Sequence, residues 1–388
     1  MISGPAALED SAVEFTDGYA YSGAMQVEKT MTPRAALLTV LLLLGACGRS
    51  EMRAGAFEAG ANSSTGGSSG ETGRAGAQGT GGGGATSDQT AAGGRDPRVT
   101  EYPMPPAAGT SPYSISDPYG ITGGPDGNFW FTERLGGKIG RITLSGTITE
   151  FRLANPGCQP VGIAVGTYNF LWFTEEAANR IGGIELDGTI IETTILAPDS
   201  SPLGIVGGPS GDIWFTEQGS SKIATSPSEE FPLPTTKSRP TGIVFGPDGN
   251  VWFTEFDGNK IGYLTTTGAV TEFSVPTTSS QPMNIVVGRD GNLWFTEYSG
   301  NKIGRITPGG TFTEFAVPTS NAHPKAIALG QDGNLWFTEW GGKKIGRITP
   351  TGTVTEFSLD AVPEGIASGS DAVWFTEPDA GKIGRISL

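Results

Sequence analysis

Residues 240–273 read PTGIVFGPDGNVWFTEFDGNKIGYLTTTGAVTEF. Four short runs rich in β-branched and aromatic residues are separated by Pro-Asp-Gly-Asn, Asp-Gly-Asn and Thr-Thr-Gly. Such Asp-Gly and Gly-bearing connections are hairpin signals, because the turns demand positive φ. The stretch therefore predicts four antiparallel strands: A after Pro240, B over Val251–Glu255, C from Lys260 and D around Val270–Phe273. Strand B is apolar on both faces, as expected of a sheet covered on both sides.

The same unit recurs along the chain. Trp-Phe-Thr-Glu starts at Trp130, Trp172, Trp214, Trp252, Trp294, Trp336 and Trp374, at intervals of 42, 42, 38, 42, 42 and 38 residues. A period near forty with four short strands per unit is the signature of a β-propeller blade. The strand-D Thr-Glu-Phe element, or its variant, recurs at Glu150, Glu192, Glu230, Glu272, Glu314 and Glu356, one copy too few for seven blades. The missing copy is Thr100-Glu101-Tyr102, ahead of the first blade, and the chain stops after strand C of the last. The fold class is all-β: a seven-bladed propeller, four antiparallel strands per blade, with the N-terminal strand closing the last blade and removing its open edge.

Each Trp-Phe-Thr-Glu glutamate is followed on the next strand by a base: Lys138, Arg180, Lys222, Lys260, Lys302, Lys344 and Lys382. Seven acids facing seven bases read as repeated cross-strand pairs with a structural role. Function is sought where the repeats differ. The residue after each strand-A proline and the residue after each Trp-Phe-Thr-Glu belong to one rim. The first ring reads Tyr119, Val161, Leu203, Thr241, Met283, Lys325 and Glu364; the second reads Arg134, Glu176, Gln218, Phe256, Tyr298, Trp340 and Pro378. Phe256, Tyr298 and Trp340 form an aromatic arc, and Lys325 and Glu364 an adjacent opposite-charge pair. A concave, partly apolar rim with a few polar groups is the default ligand site; the competing reading of the pair is a solvated ion pair of little worth.

The units G-P-D-G-N-x-W-F-T-E, N-K-I-G-R-I-T and T-E-F-x-V-P-T resemble those of the streptogramin lyase (virginiamycin B lyase-like) family, and the resemblance spans residues 99–388. It implies a seven-bladed propeller and, in active members, Mg²⁺-dependent linearisation of cyclic streptogramin B depsipeptides by elimination at the ester. The family's early tyrosine is retained as Tyr119. The resemblance places a metal-binding histidine at Lys325, a catalytic histidine at Glu364, and glutamates at Val362 and Pro378. Every implied acid, base and metal-ligand position is thus changed, so no catalytic residue is assigned and no metal is expected, Mg²⁺ entering only if the family activity is retained. An elimination needs a base and an electrophile. Glu364 and Lys325 are the groups that could substitute for them in a rewired lyase.

The sole histidine, His323, precedes Pro324 on the wrong side for the rim position, in a loop where a solvated role is expected. A net charge of −15 and a pI near 4.6 exclude a nucleic-acid partner. One histidine and two cysteines cannot furnish a zinc site.

Residues 31–50, MTPRAALLTVLLLLGACGRS, place Arg34 before an apolar run too short to span a bilayer. Leu44-Gly45-Ala46-Cys47 resembles a bacterial lipobox, with Cys47 as lipid anchor. Residues 1–47 then comprise an acidic upstream stretch and a lipoprotein-type signal peptide, with translation starting at Met1, Met25 or Met31. Cys158 is left as a free thiol, expected to be buried. Residues 48–98, dominated by Gly, Ser, Ala and Thr, cannot recover their ordering entropy and read as a flexible tether with a reach of roughly 40 Å. The expectation is an extracytoplasmic, lipid-anchored monomer. Its rim binds a small-molecule or peptide-like ligand; a lyase and a protein-docking scaffold are the alternatives.

Overall fold

The computed structural model describes residues 96–106, 116–167, 169–195, 197–225 and 229–388. The stretch read as a signal peptide with Cys47, and residues 48–95 of the stretch read as a tether, lie outside the described residues. Asp96 and Arg98, within the stretch read as tether, are docked: the Asp96 N–H donates to the Ser358 carbonyl at 3.0 Å, and the Arg98 guanidinium lies 4.4 Å from the Phe357 ring centroid.

Seven four-stranded antiparallel sheets follow one another. In blade 4 strand A is Pro240–Phe245, B is Val251–Glu255, C is Lys260–Leu264 and D is Val270–Ser274. In blade 7 the corresponding strands are Ile366–Ser368, Ala372–Glu377, Lys382–Ser387 and, from the N-terminal side, Val99–Pro103. Val99 lies opposite Ile386 and Pro103 opposite Lys382, so the first strand of the propeller closes the last blade as the repeat count requires.

The core lies between blades. One cluster joins Trp252 and Ile261 of blade 4 to Ile285, Leu293, Phe295 and Ile306 of blade 5. Every residue of strand B in blade 4 is buried, which is why that strand shows no polar–apolar alternation. Close stacking explains one conserved-looking feature of the repeat. A side chain at Gly262 would start 2.4 Å from the Phe253 ring, so the strand-C glycine is the seat of the strand-B phenylalanine. The Pro-Asp-Gly-Asn turn works as read: Gly249 has φ +78°, and the Asp248 carboxylate accepts hydrogen bonds from Asn250 Nδ2 at 2.8 Å and Trp252 Nε1 at 3.0 Å. The indole N–H of the buried tryptophan is thereby satisfied.

The threonine of each Trp-Phe-Thr-Glu stitches one blade to the next. Its hydroxyl donates to the main-chain carbonyl of the neighbouring blade's first-ring residue: Thr132 to Val161 at 2.8 Å, Thr296 to Lys325 at 2.8 Å, Thr338 to Glu364 at 2.9 Å and Thr376 to Tyr119 at 2.7 Å. The same oxygen accepts an N–H from strand A of its own blade, as from Gly120 at 2.9 Å and Ala326 at 2.9 Å. A short polar residue that both donates and accepts is needed here, buried and fully used.

The acid–base pairs are corrected. Lys260 stands opposite Glu255 in register, but its ammonium bonds Glu272 of strand D at 2.6 Å. Lys302 and Lys344 likewise bond Glu314 at 2.8 Å and Glu356 at 2.7 Å. The physical reason is a diagonal choice. Lys260 pairs with Ser274, and Glu272 lies two residues along on the same face. In blades 4–6 the loop from the preceding blade adds a second anchor, as where Thr235 donates its N–H to Glu272 at 3.0 Å and its hydroxyl at 2.7 Å. Lys138 keeps both acids in range, at 3.4 Å from Glu133 and 2.7 Å from Glu150. Glu255, Glu297 and Glu339 are buried with neither carboxylate oxygen hydrogen bonded. Burial, reinforced by the neighbouring strand-D glutamate, pushes each of the three up to about 8.

Candidate functional site

Strand A of each blade enters the central channel at its proline, and strand B returns to the same end. The seven first-ring residues therefore meet around one mouth. Tyr119, Val161, Leu203, Thr241, Met283, Lys325 and Glu364 line a cavity of about 130 Å³ there. The threonine stitches fix the backbone of each. Thr241 spends its hydroxyl on the Met283 carbonyl at 2.7 Å, and Val161, Leu203 and Met283 are apolar. Chemistry at the mouth is thus concentrated in Tyr119, Lys325 and Glu364.

Lys325 and Glu364 form an ion pair with side chains 17% and 6% exposed. The pair is not the solvated one that would count for little, because the carboxylate is buried. The Lys325 ammonium also lies 5.2 Å from the centroid of the Tyr119 ring, and the Tyr119 hydroxyl donates to Glu364. Burial and the Glu364 charge raise the Tyr119 phenol well above its ordinary value, so it is a proton donor and not a base. Arg134 covers the other approach, with its guanidinium 4.8 Å from the Tyr119 centroid and its Nε 2.9 Å from Asp117.

The second ring lies on the same face. Phe256 and Tyr298 have centroids 6.1 Å apart and Tyr298 and Trp340 6.4 Å, so the arc is continuous across blades 4 to 6. Its members differ in exposure: Phe256 is buried at 8%, whereas Trp340 is 41% exposed. Tyr298 is raised from its ordinary value by burial and then by the Glu364 charge, which places the arc beside the ion pair. Gln218 donates to Glu176 at 2.8 Å on the opposite side of the rim. Pro378 is buried in a 3₁₀ turn, Pro378–Ala380, and Val362 is half-buried in the approach to strand A of blade 7.

His323 departs from expectation. It is not a solvated loop residue: its ring stacks on Tyr298 at 4.7 Å, and its Nδ1 lies 3.1 Å from the Tyr298 carbonyl oxygen. It also approaches Trp340 at 6.4 Å. It belongs to a third variable ring, the residue before each strand-A proline. Asp117, Gln159, Ser201, Arg239, Gln281 and His323 all have φ between +46° and +56°, although none is glycine. The cause is a shared bond. The carbonyl of each accepts the N–H of its blade's second-ring residue, as from Phe256 to Arg239 at 3.0 Å and from Trp340 to His323 at 3.3 Å. Pro378 has no N–H to give, and Val362 is not among the left-handed residues. Arg239 adds a guanidinium 4.5 Å from the Phe256 centroid. The signal for this ring was present in the sequence, since the pre-proline residue varies from blade to blade.

With fold and rim defined, comparison with known proteins decides the family. The sequence model of the Virginiamycin B lyase family matches residues 94–228 and 224–388, the full extent of the propeller. The chain belongs to that family. Virginiamycin B lyase from Staphylococcus aureus is similar at 41% identity and a TM-score of 0.69, over 75% of this chain and 99% of that one. A catalytically inactive histidine-to-alanine variant of virginiamycin B lyase from Staphylococcus aureus, with quinupristin, gives 42% identity, a TM-score of 0.70 and the same shares, 75% and 99%. A streptogramin B lyase gives 40%, 0.70, and shares of 75% and 97%.

The Mg²⁺ that the family implies does not suit these residues. A protonated amine has no lone pair for a metal, and Lys325 puts positive charge where the family's metal-binding histidine is implied. Its partner Glu364 is already neutralised. Among the described residues, no group of three or more His, Cys, Asp and Glu side chains is disposed to hold an ion.

Proposed function

We propose that the protein is a ligand-binding propeller that holds a peptide-like small molecule of the streptogramin B type at the rim, without opening its ring. One observation carries the reading: the group nearest to a base at the mouth, Glu364, is spent on Lys325 and on the Tyr119 hydroxyl. A general base must be free to take a proton from substrate. Here ammonium and phenol compete for the same carboxylate, and both are proton donors. The aromatic arc of Tyr298, Trp340 and His323 beside the pair supplies contact area for a largely apolar ligand. The similarity to a lyase variant seen with quinupristin supports that ligand class.

The likeness of Leu44-Gly45-Ala46-Cys47 to a lipobox supports an extracytoplasmic location, with Cys47 as anchor and the glycine-rich stretch as tether. No helix among the described residues is long and apolar enough to cross a membrane.

Incubation of the full chain with quinupristin and Mg²⁺, followed by chromatography and mass spectrometry, tests the function. The expected result is recovered cyclic peptide at the blank rate. A ring-opened isomer of equal mass, formed well above blank and lost in Glu364→Gln, would establish a rewired lyase with Glu364 as base and Lys325 as electrophile.

A further inference from the structure

We infer that Lys325 is a built-in cation that selects ligands carrying a carboxylate next to a flat apolar or aromatic group. The inference rests on the reading of the rim as a ligand site and adds a second ligand class for it, because a closed depsipeptide ring has no free carboxylate to offer Lys325.

Three observations converge on the ammonium. Of the seven side chains around the mouth, Lys325 is the one cation, and Val161, Leu203 and Met283 line the same cavity with apolar surface. An ion in such surroundings interacts more strongly than one in water. Second, the pair is asymmetric. Glu364 is the buried member at 6%, with the Tyr119 hydroxyl as a second donor, whereas Lys325 keeps 17% of its side chain open. The carboxylate therefore positions the amine, and the amine faces the cavity. Third, an ammonium has three donors. One serves Glu364 and the Tyr119 ring takes a second approach through its π face, which leaves a donor for an incoming oxygen.

The neighbouring arc fixes the rest of the ligand. Tyr298 lies close enough to Glu364 to feel its charge, and Trp340 is the exposed aromatic residue next to it. A carboxylate on Lys325 consequently places an adjoining ring against Tyr298 and Trp340. The interaction is a charge-assisted hydrogen bond with the cation supplied by the chain, so it requires no metal.

N-acetyl-L-phenylalanine and its amide have the same shape and differ in charge at one end. Ligand-observed NMR on the full chain is expected to show the carboxylate bound at least about tenfold more tightly than the amide. EDTA and added Mg²⁺ should leave that ratio unchanged. Lys325→Arg is expected to keep the preference. The double variant Lys325→Met with Glu364→Gln, which leaves no buried charge unpaired, is expected to abolish it, and its thermal unfolding checks the fold. Trp340→Ala should weaken both probes. Equal binding of acid and amide by the unmodified chain would overturn the inference. So would failure of the acid to bind at ~10 mM while quinupristin binds, an outcome that leaves the rim intact as a ligand site. Failure of both probes and of quinupristin would remove the inference and the underlying reading together.

Discussion

Deleting the Lys325 ammonium leaves the buried Glu364 carboxylate with the Tyr119 hydroxyl as its remaining donor. An uncompensated buried charge is costly, so Lys325→Ala is expected to lower stability by about 3 kcal/mol, and adding Glu364→Gln should recover most of that loss. Chemical denaturation of the single and double variants reads it directly. Thr338 acts one step further out, through the 2.9 Å bond to the Glu364 carbonyl. Thr338→Val keeps the shape and removes both hydrogen bonds, at a cost of ~1–2 kcal/mol, and should weaken ligand binding at the displaced Glu364. At this scale the sequence was only half legible. Tyr119, Lys325 and Glu364 could be placed on one mouth by counting from each proline. The stacking of His323 on Tyr298 could not, because it depends on a left-handed pre-proline residue that local propensity disfavours and a tertiary hydrogen bond enforces.

The repeated acid–acid–base set is a property of the blade. In blade 4, Glu255 and Glu272 compete for Lys260, and Glu272 wins because Thr235 binds it as well. Glu272 is held below its ordinary value despite its burial, chiefly by hydrogen bonds from Lys260 and Thr235; Glu314 and Glu356 follow the same pattern. Glu255, Glu297 and Glu339 are pushed up to about 8. Signs then follow from linkage. The lowered strand-D acids stabilise the fold above their unfolded pKa, and that contribution is lost as pH falls below it. The raised strand-B acids hold protons in the folded state, so stability declines as pH climbs from about 4.5 towards 8. Melting temperature is therefore expected to peak near pH 5 and to fall by at least ~5 °C by pH 9. Replacing Glu255, Glu297 and Glu339 together by Gln should flatten the alkaline limb, and an unchanged limb would contradict the account. Sequence alone pointed to the wrong partner because register names the nearest backbone neighbour, whereas a lysine side chain reaches a diagonal one.

For the whole molecule, the ring was fully legible. Seven Trp-Phe-Thr-Glu units and six internal strand-D copies forced the closure by Val99–Pro103, since a missing strand would leave an open edge on Lys382–Ser387. A chain that starts at Met104 is expected to lose several kcal/mol of stability and to aggregate. Moving residues 96–103 behind Leu388 through a short flexible linker should restore it, because Val99 pairs beside the chain's own end, opposite Ile386. Analytical size exclusion and thermal unfolding distinguish the two.

The central claim is that this ring presents a rim that binds without breaking. Calorimetric titration of the full chain with quinupristin in the presence of EDTA tests it most directly. The account predicts a saturable heat of binding, weakened by Trp340→Ala, with the peptide recovered cyclic from the cell. Absence of any heat, or linear peptide in the recovered sample, would contradict it.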